Sequence, residues 1–333
     1  MKYRNLGASG LKVSEISLGS WITCCDPRDM ATPEKIIDRA YELGVNFFDT
    51  ADAYHDGNAE TILGKALGKF PRESCVIATK VYWPTGGGPN DRGLSRKHIF
   101  AQAEASLKRL RTDYIDLYYC HWYDADTPVE ETLRAMDDLV RKGVIRYYGV
   151  SNWTAAQIAC GLRAADKYLL YKFIANQPSY SILDRYIEAE TIPLSRREGI
   201  GQAVYSPLAQ GVLTGKYSPS DRRPEGSRAL NPLAKGEISV GDFLTDPILR
   251  CVEGLKAVAA ENGVTLAEMS LAWALRDPIV ASAVTGASRP EQVEANVRAS
   301  GLKLSGETLA RIDKVLEENP FYLRHNIVPW DGR

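Results

Sequence analysis

Short apolar runs alternate with amphipathic segments along most of the chain. Each run is mostly apolar and bounded by turn residues, as expected of parallel strands that are buried on both faces. Most of the early runs lie roughly 30 residues apart, the length of a strand plus a crossover helix. Eight strands alternating with helices favour a closed (β/α)8 barrel, although a doubly wound open sheet shows the same alternation. The eight predicted strands are Ile16–Trp21, Val45–Thr50, Val76–Lys80, Ile115–His121, Tyr147–Ser151, Phe173–Gln177, Gly201–Ser206 and Ile279–Gly286.

The segments between these runs carry the usual signals of helix ends. Thr32 and Pro33 suit the N-cap and the first position of a helix, and Gly44 suits the position after its last turn. The sequences beginning at Thr127 and Thr154 have the spacing of a capping box, in which two side chains bond reciprocally to the backbone. These segments are therefore predicted as helices.

Two features lie outside the strand and helix repeat. Residues before Ile16 are predicted to form a short hairpin that closes one end of the barrel. The stretch from Pro207 to Pro278, between the seventh and eighth strands, is too long for one crossover and must hold its own helices. Its segment Tyr217–Gly241 is rich in Gly, Pro, Ser and Arg and is predicted to be an exposed loop. Residues 1–333 are predicted as one domain, with a core at about 6–300 and a C-terminal helix and tail at 301–333.

Composition excludes several classes of protein. The chain has 333 residues, of which 44% are hydrophobic and 25% charged, so it is neither disordered nor fibrous. The formal net charge of −1 gives no general attraction to nucleic acid or to an anionic membrane. No apolar run approaches the roughly 18 residues that span a bilayer, and the first residues lack the apolar region of a signal peptide. We therefore expect a cytoplasmic protein with no membrane insertion.

The cysteines and histidines point to neither disulfides nor a metal. Six cysteines include no CxxC pair, so they are predicted to be free thiols. The four histidines never stand four residues apart, so no metal site is predicted.

Polar residues end nearly every predicted strand. In a barrel the carboxyl ends of the strands form the active site, so Asp49, Lys80 and His121 are expected to converge there, because isolated charges inside a barrel are costly. Tyr54 lies a few residues beyond its strand and is expected to reach the same point. Taken singly, each has an ordinary structural explanation: a helix-capping carboxylate, a solvated strand end, a packed aromatic ring or a buried histidine. The other predicted strand ends are Trp21, Ser151, Asn152, Gln177, Tyr205, Ser206 and Gly286.

Together these four residues suit reduction of a carbonyl group. A neighbouring ammonium favours a phenolate, so Lys80 is expected to lower the pKa of Tyr54, while Asp49 keeps the lysine charged. His121 is placed to donate a hydrogen bond to a substrate oxygen. No side chain donates hydride, so a nicotinamide or a flavin is required. A lyase that uses Lys80 as a Schiff-base amine is a competing hypothesis, which Asp49 as an ionic partner disfavours.

The usual dinucleotide-binding motifs are missing. No GxGxxG follows a strand and no GxxxxGK exists, so neither a Rossmann half nor a P-loop is predicted. Two late segments are candidate anion sites: the run that begins at Tyr205 and ends near Lys216, and the helix start at Ser288, a predicted N-cap with Glu291 three residues later. Arg289, with Lys216 and Arg228, would suit the additional phosphate of NADPH.

The ordered set of motifs from about Leu6 to Asn296 resembles the aldo-keto reductase family. The segment Gly93–Ile99 further resembles the branch that includes the voltage-gated potassium-channel β subunits and their bacterial relatives. The matching residues are Phe48-Asp49-Thr50-Ala51-Asp52-Ala53-Tyr54, Gly57, Ala59-Glu60, Ala78-Thr79-Lys80, His121, Gly149-Val150-Ser151-Asn152, Asn176-Gln177, Tyr205-Ser206-Pro207-Leu208 and Gly286-Ala287-Ser288.

This resemblance implies a barrel that binds NADPH without a Rossmann fold and reduces a small carbonyl substrate. It makes Tyr54 the proton donor, Asp49 and Lys80 the residues that tune its pKa, and His121 the group that orients the carbonyl. The implied contacts of the nicotinamide half are Ser20, Trp21, Asp49, Ser151, Asn152 and Gln177, with Tyr205 stacked on the ring. The implied contacts of the pyrophosphate are Ser206, Pro207, Leu208, Ala209, Gln210 and Gly211. Those of the adenosine end are Lys216, Arg228, Gly286, Ser288, Arg289, Gln292 and Asn296.

The chain departs from the family pattern at a few positions. Ala295 stands where many relatives carry a Glu beside the adenine, so that contact is either absent or supplied by Glu294. His55 replaces a common Gly and is expected to narrow the pocket mouth. Channel-associated members often carry Asn in place of His121, so the complete set favours a reductase over a redox- or nucleotide-sensing regulatory subunit. Because the branch includes tetramers, a homo-oligomer is an open prediction. The predicted substrate pocket is walled by Trp21, Trp83 and Trp122.

Overall fold

Eight parallel strands close into a barrel in the computed structural model, which describes residues 1–24, 26, 29–225, 227–230 and 240–323. The last strand pairs with both the first and the seventh, which excludes an open sheet and confirms the predicted (β/α)8 barrel. The observed bounds differ from the predicted ones by one or two residues. After an antiparallel hairpin of β1 (Tyr3–Asn5) and β2 (Lys12–Ser14), the barrel strands are β3 (Ile16–Gly19), β4 (Phe47–Asp49), β5 (Val76–Val81), β6 (Ile115–Cys120), β7 (Ile145–Ser151), β8 (Ala175–Gln177), β9 (Gly201–Tyr205) and β10 (Val280–Thr285).

Helices surround the barrel. They are α1 (Ser20–Thr23), α2 (Ala31–Glu42), α3 (Asn58–Leu67), α4 (Arg96–Leu110), α5 (Val129–Arg141), α6 (Ala155–Tyr168), α7 (Thr191–Glu198), α8 (Asp246–Glu261), α9 (Leu266–Ala274), α10 (Pro290–Val297) and α11 (Gly306–Glu318). Short 3-10 turns lie at Arg72–Ser74, Tyr186–Glu188, Ala209–Thr214, Arg228–Leu230 and Val240–Phe243.

The first barrel strand is shorter than predicted. It ends at Gly19, and the next residues form the single helical turn α1 rather than continuing as strand to Trp21. Thr23 Oγ1 donates to the carbonyl oxygen of Gly19 at 2.9 Å, which stabilises this turn. The turn lies at the carboxyl end of the barrel, where it directs Trp21 toward the cleft described below.

The predicted helix ends are confirmed in part. Gly44 has φ of +84° after α2, and Thr154 forms the full capping box of α6 with Gln157. The predicted start of α2 is wrong, because the helix begins at Ala31 and the backbone N–H of Thr32 instead donates to Asp29 Oδ1 at 3.0 Å.

The predicted capping box at Thr127 is also wrong. The N-cap of α5 is Pro128, and Thr127 Oγ1 donates to Asp124 Oδ2 at 2.7 Å. A carboxylate that is closer in space therefore replaces the helix backbone as the partner of this hydroxyl.

The hairpin closes the amino-terminal end of the barrel, as predicted. Leu6 and Val13 pack into one apolar cluster with barrel residues such as Phe47, Leu117 and Tyr119, and all five are fully buried. This cluster fills the amino-terminal half of the barrel, so a functional site has to lie at the carboxyl ends of the strands.

The insertion between β9 and β10 contains α8 and α9, as expected of a stretch too long for one crossover. Its loop is not simply exposed: Tyr217 and Ser227 are buried, because the loop folds back over the barrel end. Residues 226 and 231–239 of the loop, and 324–333 of the predicted tail, lie outside the described part. After the barrel, α11 packs on α8, with Val315 against Gly254.

Five of the six cysteines lie in the described part, and all five are thiols rather than disulfides: Cys24, Cys75, Cys120, Cys160 and Cys251. Cys25 falls outside it. Within the same residues, no helix combines the length and the apolarity required to cross a membrane.

Candidate active site

The polar site residues continue the inward faces of the barrel strands. Successive strand residues point to opposite sides, so a residue two positions beyond an inward apolar one also points inward. Asp49 follows Phe47, Lys80 follows Ala78, and His121 follows Tyr119, and all three apolar predecessors belong to the interior cluster. Each strand therefore passes from apolar filling to a polar end. This explains the convergence predicted from the strand ends.

Lys80 lies at the centre of the site. Its side chain is 0% exposed, and its ammonium donates to Asp49 Oδ1 at 2.6 Å and to the carbonyl oxygen of Thr50 at 2.8 Å. A third hydrogen bond reaches Tyr54 Oη at 3.3 Å. The three donor positions of the ammonium are thus matched by three acceptors.

Asp49 is held from both sides. Its second carboxylate oxygen accepts a hydrogen bond from Gln177 Nε2 at 2.8 Å, while the first accepts from Lys80. The carboxylate is therefore fixed in orientation and cannot turn away from the lysine without losing a partner.

The ionisation states favour a protonated phenol. Burial disfavours the ammonium of Lys80, but the charges and hydrogen bonds of Asp49 and Tyr54 together outweigh burial and raise the lysine pKa above its ordinary value. Burial raises the pKa of Tyr54, and Lys80 is the strongest influence in the opposite direction. The lysine thus acts with the predicted sign, but the predicted net lowering of the tyrosine pKa is wrong, because the phenol is desolvated.

His121 lies beside the phenol as a neutral ring. The two ring centroids are 5.7 Å apart at 74°, and burial together with Lys80 lowers the pKa of His121 well below its usual range. Its Nδ1 is buried and has no hydrogen-bond partner among the described residues.

A row of hydrogen bonds connects Asp49 with Tyr205 at the carboxyl end of the barrel. Tyr205 Oη donates to Asn152 Oδ1 at 3.0 Å, and Asn152 Nδ2 donates to Ser151 Oγ at 3.0 Å. Ser151 Oγ donates to the carbonyl oxygen of Gln177 at 2.8 Å, and that glutamine holds Asp49. The residues expected to contact a nicotinamide carboxamide are therefore one network with the charged pair.

The chain leaves β9 in an unusual backbone conformation. Ser206, Ala209, Gln210 and Gly211 have φ of 52°, 45°, 57° and 95°. Left-handed conformations of non-glycine residues are costly and cluster at functional sites. This segment is the one that sequence analysis selected for a pyrophosphate.

Three cations, Lys216, Arg228 and Arg289, line the cleft near one another. The pKa of Lys216 is lowered by its partial burial and by the charges of Arg289 and Arg228. Burial lowers the pKa of Arg228 to about 10, and its Nε and Nη2 have no partner in the described part of the chain. The cations repel one another, so their arrangement suits an anion between them.

The helix that follows β10 begins differently from the prediction. Arg289 is the N-cap of α10 and Pro290 is its first residue, so Ser288 does not cap the helix with Glu291. Instead the backbone N–H and the hydroxyl of Ser288 both donate to Gln292 Oε1, at 2.7 and 3.2 Å. A helix-starting proline sets the boundary one residue later than the serine signal indicated.

The predicted aromatic wall is present. Trp83 and Trp122 have ring centroids 5.7 Å apart, and Trp83 lies 6.3 Å from His121. Trp21 lies 6.4 Å from Tyr54 on the opposite side, and the guanidinium of Arg228 lies 4.5 Å above its ring.

Two departures from the family pattern have structural outcomes that differ from expectation. His55 does not line the cleft; its Nε2 donates to the carbonyl oxygen of Trp21 at 2.7 Å and so ties that residue to the loop after Tyr54. Glu294 does not replace the acidic contact to the adenine that Ala295 lacks, because Glu294 is bound to Arg39 at 2.7 Å. Of these two neighbouring residues, Ala295 lines the cleft and Glu294 does not.

One cleft joins the charged pair, the aromatic wall and the cations. Its volume of about 1080 Å³ exceeds the roughly 300–1,000 Å³ of pockets for drug-sized ligands. Of the predicted site residues, Ser20, Lys80 and Ala209 do not line it; Lys80 lies directly behind Asp49 and Tyr54. Lining residues that sequence analysis did not assign to the site are Gly19, Ala53, Pro84, Thr214, Pro224, Glu225, Ser227, Thr265, Ala267, Val284, Thr285 and Ala287.

Comparison with known proteins agrees with this geometry. A model of the Aldo/keto reductase family matches residues 15–317, most of the chain. The chain belongs to this family. A probable voltage-gated potassium channel subunit beta of Arabidopsis thaliana is 44% identical over 329 residues, covering 96% of this chain and 98% of the relative.

Two further relatives carry similar names. A probable voltage-gated potassium channel subunit beta of Oryza sativa subsp. japonica is 41% identical, with 96% of this chain and 98% of the relative covered. A putative voltage-gated potassium channel subunit beta of Schizosaccharomyces pombe is 40% identical over 97% of this chain and 95% of the relative. The branch expected from the sequence is therefore confirmed.

The cleft of this aldo/keto reductase fits a nicotinamide dinucleotide, which members of the family generally bind. Among the described residues, Nε and Nη2 of Arg228 have no hydrogen-bond partner, which an anionic group would supply, and Lys216 and Arg289 add two further cations. The polar row from Tyr205 to Gln177 offers donors and acceptors in the same cleft.

The buried ion pair gives the first prediction. Asp49→Asn leaves the ammonium of Lys80 buried without its counter-ion, so we expect the free energy of unfolding to fall by about 3–5 kcal/mol. The double variant Asp49→Asn/Lys80→Met removes that uncompensated charge and should regain part of the loss. Urea unfolding at neutral pH measures both. A double variant no more stable than the single one would contradict the assigned pairing.

Proposed function

We propose that this protein is an NADPH-dependent oxidoreductase that reduces aldehyde or ketone carbonyls to alcohols. The observation that carries the proposal is the contact of Lys80 with both Asp49 and Tyr54, in the wall of a cleft that also holds three cations. The contact supports proton transfer to a carbonyl oxygen, and the cations support a phosphate-bearing cofactor.

The proton comes from Tyr54. Its phenol is protonated at neutral pH, because burial raises its pKa, and the adjacent ammonium of Lys80 stabilises the phenolate that remains after the proton leaves. The O–H bond of the tyrosine breaks as a new O–H bond forms on the substrate oxygen. When bound, NADPH supplies the hydride that reduces the carbonyl carbon.

His121 orients the substrate. Because its ring is neutral and faces Tyr54, one N–H is available to hydrogen-bond the carbonyl oxygen without competing for the proton. The walls formed by Trp21, Trp83 and Trp122 exclude water around that oxygen. Asp49 does not touch the substrate in this account; it keeps the lysine charged and fixed.

The cofactor residues divide among the parts of the dinucleotide. Ser151, Asn152 and Gln177 would hold the carboxamide, with the ring of Tyr205 stacked on the nicotinamide. The left-handed segment from Ser206 to Gly211 would hold the pyrophosphate. The remaining cofactor residues would contact the adenosine end: Lys216, Arg228, Gly286, Ser288, Arg289, Gln292 and Asn296.

A redox- or nucleotide-sensing regulatory subunit is the second candidate function. It is favoured by relatives that are 40–44% identical and bear the name of potassium channel subunits. Such a subunit would bind NADPH but turn over slowly, with a membrane or signalling protein as its partner. Loss of NADPH absorbance with a panel of aldehydes and ketones separates the two, because a reductase turns over many times.

A Schiff-base lyase is disfavoured. Its amine must be neutral and free, whereas the pKa of Lys80 is raised and its ammonium is bound to three acceptors. Borohydride treatment with a carbonyl substrate should therefore leave Lys80 unlabelled.

The role of Tyr54 gives the second prediction. Tyr54→Phe removes the transferable proton but keeps the ring, so we expect turnover to fall by at least about 100-fold with NADPH affinity nearly unchanged. Absorbance at 340 nm follows turnover and fluorescence titration follows binding. Tyr41→Phe, which removes a hydroxyl bonded to Ser74 away from the cleft, serves as the matched control. Full turnover in the Tyr54 variant would remove this residue from the reaction.

The cluster of cations gives the third prediction. Wild-type protein should bind NADPH more tightly than NADH, and Lys216→Ala or Arg289→Gln should weaken NADPH binding by about 10- to 100-fold, since each removes a charge-assisted hydrogen bond. NADH binding should change little. Arg298→Gln at the other end of α10, where the arginine pairs with Glu268, is the control. Equal dissociation constants of the wild type for both nucleotides would contradict the phosphate assignment.

A further inference from the structure

A second charged cluster lies behind the catalytic pair, outside the barrel wall and beneath α3 and α4. Its members are Asp52, Glu60 and Arg109; the side chain of Glu60 is 0% exposed and that of Arg109 is 26% exposed. None of the three lines the cleft. The reaction proposed above does not use them.

Glu60 connects the cluster to the strand that carries Lys80. Its Oε1 accepts a hydrogen bond from Thr79 Oγ1 at 2.5 Å, and its Oε2 accepts from Arg109 Nε at 2.5 Å. Thr79 is the residue immediately before Lys80 and points to the opposite side of β5. Any shift of the Glu60 carboxylate is therefore passed to the backbone that sets the position of Lys80.

Arg109 connects the same cluster to the loop that carries Tyr54. Immediately after the tyrosine, His55, Asp56 and Gly57 have φ of 51°, 56° and 81°, a run of left-handed conformations that costs free energy. The arginine lies directly against this run, since a Cβ at Gly57 would be only 2.8 Å from Arg109 Cδ. The guanidinium thus packs on the turn that aims Tyr54 into the cleft.

Asp52 is the buried carboxyl group of the cluster whose charged form is disfavoured. It is 1% exposed, its backbone N–H donates to the carbonyl oxygen of Lys80 at 3.2 Å, and its carboxyl oxygens have no hydrogen-bond partner among the described residues. Burial and the charge of Glu60 raise its pKa well above the ordinary value, while Arg109 and Lys80 act in the opposite direction. Tyr118 and Cys120 of β6 are further titratable groups near the cluster, and the pKa of Tyr118 is raised by burial and by Asp52.

We propose that Glu60 and Arg109 form a positioning pair, which holds Tyr54 and Lys80 at contact distance from behind the barrel wall. The inference rests on the proposed function, since it assigns the pair to the geometry of that reaction. Buried ion pairs contribute little net stability compared with apolar residues. Here the pair links two segments whose separation decides whether a 3.3 Å contact between the ammonium and the phenol exists.

The chain offers a matched control for this pair. Near the amino-terminal ends of β5 and β6, Arg72 Nη2 donates to Asp116 Oδ2 at 2.6 Å, and the same carboxylate oxygen accepts from the backbone N–H of Ile77. Arg72 is 24% exposed, close to the 26% of Arg109. This second pair is also an arginine and a carboxylate that hold β5, but it acts at the amino-terminal end of the strand, away from Tyr54.

The fourth prediction compares Arg109→Met with Arg72→Met. Displacing reacting groups by about 1 Å can cost on the order of 100-fold, so we expect kcat of the Arg109 variant to fall about 10- to 100-fold. KM for NADPH should be unchanged, and the deuterium isotope effect with 4-deuterated NADPH should increase as the chemical step becomes slower. Arg72→Met should lose stability but keep kcat and its isotope effect. Equal kcat in the two variants would overturn the proposal.

Milder variants and a second readout cover the case in which Arg109→Met does not fold. Glu60→Gln and Thr79→Val keep the shape of the cluster and should lower kcat in the same direction. In protein labelled with 13C at the tyrosine ring carbon that bears the hydroxyl, the Tyr54 signal, identified by its loss in Tyr54→Phe, should titrate at higher pH in these variants. An unchanged titration midpoint in both would overturn the positioning role.

The same titration separates the two proposals. If wild-type protein reduces no carbonyl compound, the proposed reductase function fails, and the Tyr54 signal still tests whether the pair holds the phenol against Lys80. A midpoint that moves with Glu60→Gln but not with Arg72→Met supports the positioning pair in either case.

Discussion

The ammonium of Lys80 lies inside the barrel wall with no access to water, and the surrounding site is arranged to keep it charged. Moving such an ion out of water costs several kcal/mol unless partners replace the water, and three oxygen acceptors do so here. Asp49 ends β4, and Thr50 and Tyr54 follow in the loop after it. One strand end and the loop after it therefore supply every partner of the lysine, and this local arrangement holds a protonated phenol against the ammonium that stabilises its phenolate.

The closed barrel gives this charged pair a place where it can act. Because strand residues alternate in direction, the apolar filling of the amino-terminal half of the barrel passes into a polar end within two residues on several strands at once. The same end opens into a cleft that continues to Lys216, Arg228 and Arg289. A neutral His121 and three tryptophans surround Tyr54, and Arg228 packs on one of them, Trp21, while Lys216 and Arg289 add two further cations to the cleft. This arrangement suits a ligand that carries both a reactive ring and a phosphate.

Much of this arrangement can be predicted from the sequence, because it depends on local rules. Apolar runs of strand length locate all eight strands, and the polar residue that ends each run identifies Asp49, Lys80 and His121 as neighbours. The specific functions of cofactor residues came from resemblance to a family rather than from pattern. The predictions that fail are those that depend on neighbours in the folded structure. Thr127 bonds to Asp124, Glu294 to Arg39 and His55 to the backbone of Trp21, although the sequence pattern indicated another role for each. The predicted lowering of the Tyr54 pKa is wrong for the same reason, because the burial that raises this pKa depends on residues distant in the sequence. Thr265 and Glu225 line the cleft only because a long insertion folds back over it.

The central claim is that Lys80 is an ammonium in contact with a protonated Tyr54 and an ionised Asp49. A joint X-ray and neutron structure of deuterated crystals near neutral pD tests this most directly, because it locates the individual deuterons. The account predicts three deuterons on Lys80 Nζ, one on Tyr54 Oη and none on Asp49. Two deuterons on Nζ with one on the carboxyl group, or a nitrogen and a phenol too far apart to share a hydrogen bond, would contradict it.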